Sequence, residues 1–218
     1  MSAAHSSRLA QLDACAVSDA LDALGLEGAT VGIRPLWGHP RVAGRVVTVR
    51  LVEARGPQQA GRHLGTAAIE AAEPGDVIVV EHRGPAAAAG WGGILSLAAS
   101  RARVAGVIVD GACRDIDEAR ELEFPLFGRA ATAMTARGRL REESFGEPIT
   151  VDGVRVEPGD YVVADSSAVV FVGADGAQAV IERAEQVAAR ERQMADAVRA
   201  GRPVSEVMGA NYETMLRG

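Results

Sequence analysis

The residues of this chain best suited to chemistry lie in one stretch, Gly106-Val-Ile-Val-Asp-Gly-Ala-Cys-Arg-Asp115. An apolar, β-branched run delivers Asp110, turns on Gly111 and leaves Arg114 and Asp115 together at a strand-to-helix edge, where α/β folds usually keep their ligands. The Asp115 carboxylate can hold a hard divalent cation such as Mg2+ or Mn2+, directly or through water. The Arg114 guanidinium can clamp a substrate carboxylate or a developing enolate. The same two residues can also do no more than cap a helix and pair with their neighbours. A second feature is Gly92-Gly93-Ile94-Leu95, which opens a helix with two residues that allow close backbone approach and leaves amides free for an anion. A Gly-Gly helix start equally serves ordinary packing. Together, an anion-binding helix terminus and an Arg-Asp pair suit a small oxo acid bound with a metal.

Several chemistries are excluded by residue type. All 23 basic residues are Arg and none is Lys, which removes Schiff-base aldolase chemistry, a pyridoxal-phosphate anchor and the phosphate loop ending Gly-Lys-Ser/Thr. His5, His39, His63 and His82 are scattered, with no pair at metal-ligand spacing and no Gly-x-Ser-x-Gly elbow, so a hydrolase triad is unsupported. His63, just ahead of a helical segment, stays open between a pocket and a surface role. Cys15 and Cys113 have neither metal-ligand spacing nor a disulfide framework around them and are expected to be reduced. A net charge of -6 without a basic cluster argues against direct nucleic-acid binding. No run approaches the ~20 apolar residues of a membrane span. The polar start from Met1 to Arg8 lacks the basic-then-apolar order of a secretory signal, so a cytoplasmic protein without membrane contact is expected.

The elements that must position these residues alternate. Apolar residues at helical spacing from Ser6 to Leu24 predict one broken helix or two short ones, with Ser18 capping the second and Gly25 ending it. Arg45 to Val52 and Asp76 to Glu81 predict strands around a helix near Thr66 to Ala72. A helix from Ile94 to Arg103, a strand Gly106 to Val109, a helix from Arg114 or Asp115 to Leu122 and a strand Phe124 to Phe127 continue the α/β order. Pro148 to Val156 contains Asp152-Gly153, a hairpin signal. Strands at Tyr161 to Ala164 and Ala168 to Val172 and a helix from about Ala177 to Ala200 close the pattern. Glu-Pro-Gly-Asp occurs twice, at 73–76 and 157–160, each time ahead of a Val-rich strand.

The segments SDALDALG (18–25), EPGDVIVV (73–80), WGGILSLAA (91–99), GVIVDGACRD (106–115), FPLFGR (124–129) and VEPGDYVVAD (156–165) resemble, in order, the RraA-like family. That family contains class II aldolases acting on 4-hydroxy-4-methyl-2-oxoglutarate and 4-carboxy-4-hydroxy-2-oxoadipate, and the regulator RraA, which binds the endonuclease RNase E. The resemblance covers about Val17 to Gly201. It implies an α/β fold of the swivelling β/β/α type, a layered sandwich forming one domain over 1–204 with a tail at 205–218. It also implies a homotrimer, or a hexamer of trimers, with sites at subunit interfaces.

In those aldolases an Asp, twenty intervening residues and Arg-Asp form the signature. By this resemblance Arg114 binds substrate, Asp115 binds the metal, and the amides at Ile94 and Leu95, beyond Gly92, take the substrate carboxylate. Glu191 resembles the acid that reaches a neighbouring subunit's site. The signature's first acid falls on Gly93, a departure that bears on metal binding, proton transfer or substrate. The implied activity is a divalent-metal-dependent retro-aldol cleavage of a 4-hydroxy-2-oxo acid releasing pyruvate, with oxaloacetate decarboxylation as a related reaction. The alternatives are a non-catalytic regulator of an RNA-degrading endonuclease and a lyase or isomerase on an unrelated small oxo acid.

Overall fold

Val-rich runs become neighbouring strands because only a sheet covered on both faces can bury every residue of such a run. The computed structural model of the protein describes residues 2–55 and 62–209. It begins with α1 (Ser2–Leu9), α2 (Ala14–Ala23), β1 (Arg34–Pro35), β2 (Val42–Glu53) and α3 (Thr66–Ala71). The middle of the chain carries β3 (Val77–Arg83), β4 (Ala89–Trp91), α4 (Gly93–Arg101), β5 (Gly106–Val109), β6 (Ala112–Cys113), α5 (Ile116–Glu121), β7 (Leu126–Gly128) and β8 (Ala130–Ala131). The last third holds β9 (Leu140–Phe145), β10 (Ile149–Val151), β11 (Val154–Val156), β12 (Tyr161–Ala164), β13 (Val169–Val172), α6 (Ala177–Arg199) and α7 (Val204–Val207).

The main sheet runs β1-β7-β5-β3-β2-β12-β13. Its centre is parallel, β2 to β3 to β5 to β7, and its flanks are antiparallel. The long strand β2 uses one edge for β3 and divides the other, pairing Val42 to Arg45 with β12 and Val49 to Glu53 with β9. A second, smaller parallel sheet, β4-β6-β8, stands beside the first. The chain therefore repeats one unit: a long parallel strand, a short strand in the small sheet, then a helix. The units β3-β4-α4 and β5-β6-α5 are complete, and β7-β8 repeats the two strands. This is the mixed α/β, β/β/α arrangement expected.

Apolar side chains bind the layers. On one face Val49, Leu51, Ile78, Val80, Val107 and Val109 pack with Leu64, Trp91, Leu95, Ala119 and Phe124 from α3, α4, α5 and their flanks. Another cluster joins Val17, Ala20, Leu21, Val180, Ile181 and Ala184 of α2 and α6 to Tyr161, Val163, Val170 and Val172. The β10–β11 hairpin turns on Asp152-Gly153 as expected, both at positive φ, and closes a third cluster with Ile149, Val151 and Val156. No helix among the described residues is long and apolar enough to cross a membrane.

The N-terminal helical region is two helices, and their junction corrects one expectation. Asp13, not Ser18, caps α2: its side chain accepts from the Ala16 amide at 2.8 Å, while Ser18 lies inside the helix. A carboxylate one residue before the first helical turn satisfies an amide that a mid-helix hydroxyl cannot reach. Asp13→Ala is expected to lower stability by about 1 kcal/mol, with Ser18→Ala close to neutral, as read by urea titration. Gly25, at φ +68, ends α2 as expected. The strands β4, β6 and β8 escaped the sequence reading because they are two or three residues long, and β9 because its sequence, LREESF, is largely charged.

The two Glu-Pro-Gly-Asp segments fold alike. In each, the Asp amide donates to the Glu carbonyl and the Asp carboxylate accepts from the Glu amide, at 2.9 Å in the first and 2.8 Å in the second. Gly75 and Gly159 supply the left-handed residue. The turns lead into β3 and β12, which pair with opposite edges of β2, β12 at Val42 to Arg45 and β3 at Val46 to Val52.

Candidate functional site

The register of the small sheet assembles the site. Trp91 at the end of β4 stands opposite Cys113 at the end of β6, and the Arg114 amide donates to the Trp91 carbonyl at 3.0 Å. The next residues on each strand, Gly92-Gly93 and Arg114-Asp115, are thereby brought side by side at the N-termini of α4 and α5. Trp91 is buried, and its indole N–H donates to the Ser96 hydroxyl at 3.1 Å. That hydroxyl donates to the Gly92 carbonyl at 3.2 Å, so the turn between strand and helix is held from inside.

Asp115 is the pivot. Its backbone is left-handed, φ +59, a conformation a non-glycine residue adopts at some expense. The side chain does not cap its own helix. Its Oδ2 instead accepts from the Gly93 amide at 3.0 Å, placing the carboxylate at the N-terminus of α4, and Arg114 Nε approaches Oδ1 at 3.1 Å. Among the described residues the terminal nitrogens of Arg114 have no partner, which leaves a planar donor fork available. The cap residue of α4, Gly92, offers no side-chain bond, so the Ile94 and Leu95 amides are first-turn donors without an acceptor. A Cβ on Gly92 would come within 2.9 Å of Asp115 Oδ2 and 3.0 Å of Arg114 Cγ, so a larger residue there must displace the Asp115 carboxylate or the Arg114 stem.

The six residues Gly92, Gly93, Ile94, Leu95, Arg114 and Asp115 are thus contiguous in space. Leu95 contributes only its backbone, since its side chain is buried in the core, whereas Ile94 is 79% exposed. Glu191 does not join them within one chain. It lies half-buried on α6, and burial, reinforced by Asp13 and Asp19, raises its carboxyl above the usual range. The folded protein therefore holds that proton more tightly than the unfolded chain, and ionisation works against folding as pH rises through and above the ordinary carboxylate range. Glu191→Gln is expected to raise the Tm at pH 7 and to change it little at pH 4, as followed by thermal melts.

Other candidates are placed elsewhere. His63 is exposed, with Nδ1 3.0 Å from the Leu64 carbonyl. Asp110 turns away to bind Arg129 and to accept from the Asp152 amide, fastening the hairpin to the sheet. Cys15 is exposed and Cys113 buried, its thiol pushed well up by burial, and neither is in a disulfide. A cavity of about 370 Å3, lined by Ser18, Asp22, Glu27 and Asp152 among others, opens between α2 and the hairpin, apart from Arg114.

One acid near the site was missed by the sequence reading. Glu118, in the first turn of α5, extends its carboxylate over Gly93: a Cβ there would stand 1.6 Å from Glu118 Oε2 and 3.1 Å from Asp115 Cβ. Its signal was its place three residues after Asp115, the cap residue of α5, from which a Glu side chain reaches back to the helix start. Among the described residues no group of three or more His, Cys, Asp or Glu is arranged to hold a metal. Two carboxylates at one place nonetheless fit Mg2+ or Mn2+, since Mg2+ commonly takes one or two carboxylates and keeps several waters.

Comparison with known proteins adds context to this geometry. The family pattern described as RraA-like, Aldolase/RraA, matches residues 14–171. A protein of Halalkalibacterium halodurans provisionally named 4-hydroxy-4-methyl-2-oxoglutarate aldolase is 34% identical over 197 residues, covering 88% of this chain and 89% of that protein. Protein DlpA of Legionella pneumophila is 27% identical over 194 residues, 89% of this chain, but the chain spans only 31% of its length. Among solved structures, Streptomyces coelicolor RraAS2, described as an unusual member of the RNase ES inhibitor RraA protein family, superposes with a TM-score of 0.76 at 26% identity, covering 91% of this chain and 96% of that one.

Proposed function

The chain belongs to the RraA-like family, and from that membership we propose that it is a divalent-cation-dependent carbon–carbon lyase, cleaving a 4-hydroxy-2-oxo acid to release pyruvate and decarboxylating oxaloacetate as a related reaction. The observation that carries this reading is the convergence of the unpartnered Arg114 fork, the free amides of α4 and the Asp115 carboxylate at the ends of β4 and β6. The aldolase name of the H. halodurans relative supports it.

In this reading the Ile94 and Leu95 amides receive the substrate carboxylate at the positive end of α4. A divalent cation at Asp115 would supply Lewis-acid polarisation of the 2-oxo group. Arg114 directs its terminal N–H groups at the same oxygen, where negative charge builds as the carbon–carbon bond breaks and its electron pair moves toward the carbonyl. Asp115 keeps Arg114 in place through Nε while leaving those groups free. The 4-hydroxyl gives its proton to solvent water as its oxygen becomes the carbonyl of the departing fragment, and C3 of the enolate takes a proton from water, which completes pyruvate. Without lysine no imine can form, so the charge must be met electrostatically. Ile94 and Leu97, exposed on α4 beside this group, favour closure of the site by a second copy in a trimer or hexamer, with Glu191 offered by the neighbour. The protein would act in the cytoplasm.

The test follows pyruvate from 4-hydroxy-4-methyl-2-oxoglutarate and from oxaloacetate, with Mg2+, with Mn2+ and with excess chelator. Cation-dependent release is expected, and its absence with both substrates overturns the proposal. Structural similarity to RraAS2 favours a second reading, inhibition of an RNA-degrading endonuclease. Endonuclease inhibition that survives Arg114→Ala, in a protein releasing no pyruvate, would establish it instead.

A further inference from the structure

Glycine at position 93 is explained by a side chain from another helix. Residue 93 is the first of α4 and does not have positive φ, so its backbone alone accepts any residue. The space above its Cα is nevertheless taken, because the Glu118 carboxylate lies where even a methyl group would stand. This carboxylate has no hydrogen bond or ion pair among the described residues. Asp115, against the other side of the same glycine, has its charge matched by Arg114, whereas that of Glu118 is unmatched. Glu118 is exposed, so water screens its charge, and what sets it apart is position: its carboxylate lies beside that of Asp115 at the N-terminus of α4, where negative charge is favoured and a cation could be shared.

We propose that Glu118 is the second acidic group of the cation site, and that Gly93 and Glu118 act as one unit in which the glycine keeps open the space the carboxylate fills. The proposal rests on the cation-dependent reading given above and deepens it, supplying from α5 the acid that the Asp, twenty residues, Arg-Asp signature would place at position 93.

The experiment measures Mn2+ binding to the full chain by electron paramagnetic resonance, with thermal melts of every variant. Glu118→Ala is expected to weaken Mn2+ binding by about tenfold to a hundredfold, as loss of supporting groups around a metal commonly does. Gly93→Ala removes no carboxylate, yet it must push the Glu118 terminus aside and is expected to weaken binding similarly. Because the displaced atom is the far end of a flexible side chain, the Tm of Gly93→Ala is expected to stay within a few degrees of wild type. In the Glu118→Ala background Gly93→Ala adds nothing, and Gly93→Asp restores part of the lost affinity, the non-additivity expected of groups competing for one place. The assignment is overturned if Glu118→Ala binds Mn2+ as tightly as wild type, if Gly93→Ala weakens binding equally with and without Glu118, or if Gly93→Asp restores nothing. Those failures leave the lyase reading standing. A wild-type protein that binds no Mn2+ overturns both.

Discussion

Asp115→Asn is expected to reduce cation-dependent pyruvate release at least a hundredfold, about 3 kcal/mol of transition-state stabilisation, while leaving the protein folded. Asparagine has the same shape and tolerates the left-handed backbone at φ +59, so the substitution isolates the charge. An Asn oxygen can still accept from the Gly93 amide, now 3.0 Å from Oδ2, and the helix start keeps its geometry. What is lost is the anion that orients Arg114 and the proposed ligand for the cation. Asp115→Ala removes the same charge but adds strain of roughly 1–2 kcal/mol, because a Cβ without a polar side chain disfavours the left-handed region. The two variants are expected to be equally inactive and to differ in Tm, with the alanine protein lower. A coupled pyruvate assay and a circular dichroism melt check both, and wild-type turnover by Asp115→Asn would remove the carboxylate from the chemistry.

Gly44→Ala is expected to destabilise the fold by about 3 kcal/mol, the upper range for overpacking, which for a chain of this size lowers the Tm by about 10 °C. A Cβ at Gly44 would lie 2.3 Å from the Gly75 carbonyl oxygen and 2.9 Å from Val77 Cγ2. The first contact is with backbone, so no rotamer change relieves it. The carbonyl belongs to the turn that leads into β3, while Gly44 pairs with Val162 of β12. The methyl group therefore strains three adjacent strands at once. The contrast with Gly93→Ala, whose clash is with the movable end of Glu118, separates glycine kept for packing from glycine kept for a neighbouring functional group. A Gly44→Ala protein melting with wild type would show that the β2 edge yields more readily than its geometry implies.

Local chemistry carries far in this protein. The β-branched runs, the Asp152-Gly153 hairpin, the Glu-Pro-Gly-Asp turns and the long C-terminal helix are each governed by neighbouring residues, and each lies within a few residues of its expected place. The pairing of Arg114 with Asp115 and the glycine start of α4 were legible for the same reason, since strand, turn and helix follow one another in the chain. The missing lysine settled which chemistry is unavailable without reference to any fold.

What only the tertiary structure decided depends on residues distant in sequence and close in space. The small β4-β6-β8 sheet is built from pieces too short to show periodicity, yet its register alone brings Gly93 against Asp115. Ser18 and Asp13 are both plausible caps by type, and the position of the first helical turn selected Asp13. Gly93 reads as a lost acid in one dimension, whereas in three the space is filled by Glu118, 25 residues further on, and sequence spacing holds no record of that volume. Residue types set the available chemistry, and strand register with steric exclusion set which of those residues meet.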